Sequence, residues 1–223
     1  MIQTQAQVVD IQHSANKQVA HITFAPLDIF SFHAGQFAFI EIPGQKDIDN
    51  KALKKAYSIG STNAQLQTDR TFTTIVKKTR DGGMSDYLTQ KLHIGETVTC
   101  TAPLGHLAKE SRHQTYLLIS TGSGITPIYS IYQTLVASGQ YDKIAHIYGE
   151  RHQDFLIDSI SSSRQDSEHI KHFLYLSQDQ KNGRQKGHIQ ASIDKALQFL
   201  DTKNIQVYSC GKPSMVEDIA KIL

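Results

Sequence analysis

The chain contains no tryptophan and only two cysteines, Cys100 and Cys210, in 223 residues. Two thiols so far apart cannot furnish the four thiolates of an ordinary iron–sulfur site, and no metal centre is expected. They could close one disulfide, but two separate thiols in a reducing cytoplasm is the simpler reading. No apolar run is long enough to span a bilayer, so no membrane insertion is expected. The opening residues Met1-Ile2-Gln3-Thr4-Gln5 lack the charged and apolar regions of a signal peptide. Neither sign of charge dominates: 23 basic against 21 acidic side chains leave a net charge of +2, too little to predict a nucleic-acid partner. A pI near 8.4 is compatible with an acidic protein partner. A soluble, cytoplasmic protein is expected. Its oligomeric state is not legible in the sequence.

What is present suits one large or two small globular domains, with 39% hydrophobic residues. The first half reads as strands. Gln7–Ile11, Gln18–Phe24, Gln36–Ile42, Tyr57–Ser61, Thr71–Lys77 and Thr97–Cys100 mix β-branched and aromatic residues with polar alternation. Short strands separated by turn signals predict a small antiparallel β-barrel. One helix interrupts them at about Ser85–Lys91, with Tyr87, Leu88 and Leu92 on its apolar side. The second half alternates. Strands at Thr115–Ser120, Lys143–Tyr148, His172–Ser177 and Ile205–Ser209 are followed by helices at about Ile125–Ser138, Gln153–Ser161, Ile189–Leu200 and Pro213–Ile222. This rhythm predicts a parallel sheet with helices on both faces. The polar link from Lys109 to Gln114 divides the two, giving expected domains at 1–108 and 114–223. Asp47–Lys55 and Gln178–Lys186 read as mobile polar loops.

Four segments carry chemistry. Lys55-Ala56-Tyr57-Ser58-Ile59-Gly60-Ser61 places a cation, an aromatic face and hydroxyls within one strand-like stretch, a set that can touch a flat heteroaromatic ring and a diphosphate together. Gly82-Gly83-Met84-Ser85 precedes a helix. Its backbone N–H groups and the Ser85 hydroxyl suit a diphosphate, although a plain turn capped by Ser85 explains the pattern equally well. Thr121-Gly122-Ser123-Gly124-Ile125-Thr126-Pro127 follows an apolar strand and opens a helix. There glycines admit a diphosphate to unpaired N–H groups, and proline is tolerated in the first turn. An ordinary strand-to-helix turn is the alternative. Cys210-Gly211-Lys212-Pro213-Ser214-Met215 follows the last strand, at the carboxyl end of the sheet where open α/β folds bind ligands. A structural cysteine is the alternative there.

Together, in this order, the four segments resemble the ferredoxin–NADP reductase superfamily over nearly the whole chain. Ala34-Gly35-Gln36-Phe37, Ala102-Pro103-Leu104-Gly105 and Tyr148-Gly149-Glu150-Arg151 add to the resemblance. It implies an FAD-binding barrel followed by an NAD(P)-binding domain. In that family an arginine-x-tyrosine-serine motif holds FAD, which is similar to Lys55, Tyr57 and Ser58, with Ile59 adjoining. Gly82, Gly83, Met84 and Ser85 look like the second flavin segment. Thr121, Gly122, Gly124, Thr126 and Pro127 look like the nicotinamide-nucleotide turn, and Cys210, Gly211 and Met215 complete that site. Two departures stand out. Lys55 occupies the position of the family's arginine and lacks its forked contact to phosphate. The chain also ends after its last helix, without the tail carrying an acidic residue and an aromatic that covers the flavin in many relatives, so an open flavin face is expected.

The resemblance implies hydride transfer from NAD(P)H to the FAD N5 position, with Tyr57, Ser58 and Cys210 as the residues nearest the reacting rings. The expected acceptor is a ferredoxin or flavodoxin. A free-flavin or ferric reductase acting on small-molecule acceptors, or a flavin-binding electron-transfer subunit with little turnover, is the alternative. Arg151 and the loop bearing Lys181, Arg184 and Lys186 favour the 2′-phosphate of NADPH, with NADH possible, unless the loop is merely a solvated charge cluster. The eleven histidines match no ligand pattern and are expected at the surface.

Overall fold

A computed structural model describes residues 1–107, 114–156, 166–178, 185–186 and 192–223, and the two halves of the chain build two different sheets. Strands β1 (Ile2–His13), β2 (Val19–Pro26), β3 (Phe37–Lys46), β4 (Ala52–Ser58), β5 (Phe72–Lys77) and β6 (Thr97–Leu104) pair antiparallel in the order β4-β3-β6-β1-β2-β5. Alternate residues point inward, as the pleat requires: Ala6 and Val8 from β1, Ile22 and Phe24 from β2, Ala38 and Ile40 from β3. Phe24 stacks on Phe72 at 5.3 Å and Phe30 meets Phe72 edge-on at 5.7 Å. Each such pair contributes about 1 kcal/mol beyond area burial. The sheet curls until its ends meet. The Gly60 N–H donates to the Thr73 carbonyl at 2.7 Å, and the Thr74 hydroxyl donates to the Ser58 carbonyl at 2.8 Å. The expected antiparallel barrel is what forms.

Three local expectations change. The stretch Asp47–Lys55 is not a loop throughout, because β3 runs to Lys46 and β4 begins at Ala52. Leu53 is buried between exposed neighbours, so the charged residues simply occupy the faces of a strand. Only the intervening turn remains, and the Asp47 carboxylate organises it by accepting the N–H groups of Asp49 and Lys51, both at 2.9 Å. A helix absent from the sequence reading, α1 (Asn63–Asp69), starts at a capping box formed by Thr62 and Gln65. The helix expected at Ser85 starts one residue earlier, as α2 (Met84–Asp86), and ends in a π-helical turn over Tyr87–Lys91.

In the second half, β7 (Thr115–Thr121), β8 (Lys143–Glu150), β9 (Ile170–Leu176), β10 (Gln185–Lys186) and β11 (Gln206–Cys210) form a parallel sheet ordered β10-β9-β8-β7-β11. Helix α3 (Ile125–Ser138) covers one face over Tyr116, Leu118 and Ile144. Helices α4 (Ile193–Leu200) and α5 (Pro213–Ile222) cover the other over Leu117, Ile119 and Ile147. The barrel residues Val19 and Ile75 join the α3 cluster, which explains why every residue from Ile125 to Tyr132 is buried. That helix is sandwiched between the two sheets. Of the helix expected at Gln153–Ser161, a 3-10 turn at Gln153–Phe155 lies within the described residues and 157–161 lie outside. The histidines are not all superficial. His146 on β8 is buried beneath Tyr132, their rings stacked at 5.6 Å, because both faces of this central strand are covered. Among the described residues no helix is long and apolar enough to cross a membrane.

Candidate functional site

The chain runs from β7 through β8 and β9 to β10 on one side, then returns to place β11 on the other side of β7. The carboxyl ends of β7 and β11 therefore flank the point where the direction of the sheet reverses, the position where open α/β sheets form a ligand crevice. The turn Gly122–Gly124 leaves β7 there, with Gly122 at a positive φ of 55°. Cys210-Gly211 leaves β11 against it. A Cβ on Gly124 would overlap the Cys210 carbonyl, and one on Gly211 would overlap the Thr121 hydroxyl. At Gly124 backbone meets backbone, so only glycine allows this approach. The Lys212 N–H donates to the Thr121 hydroxyl at 3.3 Å. The Thr126 hydroxyl donates to the Ser123 carbonyl at 2.8 Å, and Pro127 and Met215 are buried beneath the turns. Cys210 is half-buried, and burial raises its thiol pKa above the ordinary value. These predicted residues thus converge from two segments far apart in sequence.

The barrel's segments converge as well. Leu53, Lys55 and Tyr57 share one face of β4 by strand alternation. A cavity of about 360 Å³ lies beside β4, bordered by Lys55, Thr79, Arg80, Gly83, Met84 and Ser85. Gly82 has a φ of 65°, and its N–H donates to the Asp86 carboxylate at 3.1 Å. Lys78, 2.8 Å from the same carboxylate, holds the Asp86 pKa below the usual range. The Ser85 hydroxyl is turned inward, where it accepts the Thr79 N–H at 3.1 Å. Ile59 is fully buried and its N–H donates to the Gln36 carbonyl. The Tyr57 ring is partly buried at the edge of the barrel core, and its hydroxyl is buried with no hydrogen-bond partner among the described residues.

The two clusters meet at one seam. A Cβ on Gly60 would stand 3.2 Å from the Thr126 methyl, and the Ser130 hydroxyl of α3 donates to the Ser61 carbonyl at 2.7 Å. Lys77 at the end of β5 lies 2.7 Å from Glu150 at the end of β8. Glu150 also accepts the Arg151 N–H at 2.8 Å, and its other oxygen lies beside Gly122. Arg151 itself is exposed. Lys181 and Arg184 lie outside the described residues, as does the side chain of Lys186 on β10. Sequence reading missed two charged groups here. Arg80 lies over the Gly82-Gly83 turn, and Lys77 bridges to the other sheet.

Two protein-family models match the chain: an oxidoreductase FAD-binding domain over residues 7–108 and an oxidoreductase NAD-binding domain over residues 118–221. The toluate 1,2-dioxygenase electron transfer component of Pseudomonas putida is 25% identical over 223 residues, covering 98% of this chain and 62% of that protein. The ferredoxin–NAD(P)+ reductase component of the naphthalene 1,2-dioxygenase system of Pseudomonas putida is 24% identical over 197 residues, covering 86% of this chain and 56% of that protein. The chain thus spans less than two thirds of either relative. Among solved structures, a ferredoxin–NADP+ reductase from Neisseria gonorrhoeae with bound FAD and NADP superposes with a TM-score of 0.80 at 20% identity, covering 98% of this chain and 89% of that one. That likeness is one of fold.

The residues present fit both nucleotides that the family models imply. Tyr57 offers a half-open ring whose hydroxyl wants a partner, as a polyhydroxylated flavin chain would supply. The adjoining cavity carries the cations that a diphosphate needs. The glycine turn at the sheet's switch point is open to a second diphosphate, since a Cβ on Gly122 would have the Glu150 carboxylate as its nearest neighbour, at 3.8 Å.

Proposed function

Because the chain belongs to the ferredoxin–NADP reductase superfamily, we propose that it is an NAD(P)H-dependent flavoprotein reductase delivering electrons to a ferredoxin or flavodoxin. The observation that carries this reading is the seam. Gly60, two residues beyond Ser58, packs on Thr126, two residues beyond Gly124, so the flavin segment and the nucleotide turn abut. Hydride transfer requires two rings in contact, and a small misplacement of the reacting atoms is costly. Bound flavin supplies the redox chemistry, taking hydride and releasing electrons.

The chain's own residues bind and orient. Tyr57 gives the ring a stacking face and directs its hydroxyl to the ligand. Ser58 follows it, at the end of β4, with its carbonyl held by Thr74. Lys55 contributes positive charge near the diphosphate, alongside the turn Gly82–Ser85. Thr121, Gly122 and Gly124 receive the nicotinamide nucleotide, and Cys210 with Gly211 forms the opposite wall. No acid–base pair is needed, because no proton leaves carbon in the step. The exposed Arg151, with Arg184 and Lys186, supports a preference for NADPH over NADH. The domain division at 1–108 and 114–223 belongs to the same reading, its link lying largely outside the described residues. A cytoplasmic setting is supported by two free cysteines.

The test is an acceptor screen. FAD-loaded protein is given equal NADPH with ferredoxin, flavodoxin, free FMN or ferric citrate, and turnover is compared. Faster turnover with a redox protein is expected. Turnover with FMN or ferric citrate alone would replace the electron-transfer role with a small-acceptor reductase. Bound FAD without turnover would leave a flavin-binding subunit.

A further inference from the structure

Lys55 stands where a forked cation is expected, and one ammonium cannot make the paired contacts of a guanidinium to a diphosphate. The neighbouring lysines do not make up the difference. Lys54 also borders the cavity, but its ammonium is held 3.1 Å from Glu41 on β3. Lys78 is engaged by Asp81 at 2.7 Å and Asp86 at 2.8 Å. Arg80 is also paired with carboxylates, but unlike either lysine it carries a guanidinium fork. It borders the same cavity as Lys55, and its side chain crosses the glycine turn so closely that a Cβ on Gly83 would stand 3.0 Å from Nε. Its guanidinium already holds oxygen anions, donating to Asp47 Oδ2 at 3.1 Å and through both terminal nitrogens to Asp49 Oδ2 at 3.4 Å. Those two carboxylates present the oxygens that a diphosphate would bring.

We propose that Arg80 is the guanidinium that grips the flavin diphosphate in this chain, serving in place of the family arginine whose position Lys55 fills. The proposal rests on the flavin reading above. Three features hold Arg80 in readiness. The Ser85 hydroxyl fastens the Thr79 backbone immediately before it. Gly83 leaves its side chain room to lie flat. Asp47, pinned by the N–H groups of Asp49 and Lys51, is a fixed buttress on one edge of the guanidinium. Asp49 is different, because its side chain is 52% exposed and its contacts are the longer ones. Diphosphate displaces Asp49 and leaves Asp47 in place, so Asp49 is a competitor for Arg80 and not a support.

The experiment is titration of the apoprotein with FAD, read by flavin fluorescence, with thermal melts confirming that each variant folds. Arg80→Ala should raise the FAD Kd about 10- to 100-fold, the range of a hydrogen-bonded charge contact. Adding Lys55→Arg to that variant should recover most of the loss by restoring a fork on β4. Asp49→Asn should leave the Kd unchanged or lower it. If Arg80 only pinned the 47–51 turn, Asp49→Asn would weaken FAD as Arg80→Ala does, and Lys55→Arg would rescue nothing; either result overturns the proposal. So does an unchanged Kd in Arg80→Ala. Tyr57→Ala separates the two levels of the argument. If it weakens FAD while Arg80→Ala does not, only the arginine assignment fails. A wild-type apoprotein that takes up no FAD sinks both.

Discussion

Replacing Lys77 with methionine tests whether a buried charge pair holds the seam. Lys77 ends a barrel strand and Glu150 ends a strand of the parallel sheet, 2.7 Å away. The Glu150 side chain is 3% exposed and that of Lys77 is 22%, so water screens the pair poorly. The ammonium also lies 3.9 Å from the centre of the Phe155 ring. Methionine preserves the apolar stem and removes the charge, leaving the carboxylate buried with the Arg151 N–H still donating to it. Breaking a buried pair from one side costs about 3–5 kcal/mol. The partial exposure of Lys77 places this case near the lower bound, about 3 kcal/mol. In a chain of this length that corresponds to a fall in Tm of roughly 6–12 °C. Glu150→Gln should cost less, because the orphaned lysine can reach solvent, and the double variant should recover part of the loss of Lys77→Met. Thermal melts of FAD-loaded protein provide the assay, followed by both near-ultraviolet circular dichroism and flavin fluorescence. Two domains can melt separately, so the two probes should diverge once the pair is broken. A Tm within about 2 °C of wild type, the effect of an exposed pair, would refute the reasoning, as would a double variant no better than Lys77→Met.

Asp86 gives a pH-dependent prediction. Its carboxyl pKa is depressed, chiefly by Lys78. It therefore contributes stability that is complete above the unfolded value of about 3.9 and is lost as pH falls through the folded value. Urea denaturation between about pH 5 and 2 should show a flatter acid limb in Asp86→Asn, and superimposable limbs would contradict it. Cys210→Ser should leave FAD bound but slow flavin reduction by NADPH in stopped flow, through altered packing at the end of β11; an unchanged rate would make Cys210 structural only. Gly124→Ala should force apart the two turns, since the new methyl would stand 2.6 Å from the Cys210 carbonyl carbon and 2.8 Å from the Gly211 nitrogen. A rise of about tenfold in the KM for NADPH, with FAD retention intact, is expected from overpacking of 1–3 kcal/mol, and an unaltered KM would show that the turns part freely.

The features legible in the sequence are those written within one element. Alternation in β1–β3 and the strand–helix rhythm of the second half are local patterns, and both sheets form as these patterns require. The glycine turns are legible for the same reason, because Gly122 and Gly211 stand at the ends of strands and Gly82-Gly83 stands directly before a helix. Local reading failed where charge hid the pattern. Lys51, Lys54 and Lys55 made a strand look like a loop, although Leu53 between them carried the buried phase. Helix α1 did leave a signal in Thr62 and Gln65, but its seven residues are too few for apolar periodicity to show.

The remaining misses have a different origin. Lys77 and Glu150 lie 73 residues apart, and so many charged pairs are possible at that separation that sequence cannot choose among them. The choice is made by closure of the barrel and by the order of the parallel sheet, which bring the ends of β5 and β8 together. The same holds for Ser61 with Ser130, and for Arg80 with Asp47 and Asp49. Apart from Ser130, which lies within α3, each of these residues sits at or near the end of an element, where periodicity has stopped and nothing local specifies a partner. The polar contacts between the two halves are made at those ends, while Val19, Ile75 and α3 supply the apolar contact between them. The polar residues that join the two halves are thus drawn largely from the positions about which local pattern says least. Substitutions there should uncouple the melting of the two halves, as expected for Lys77→Met.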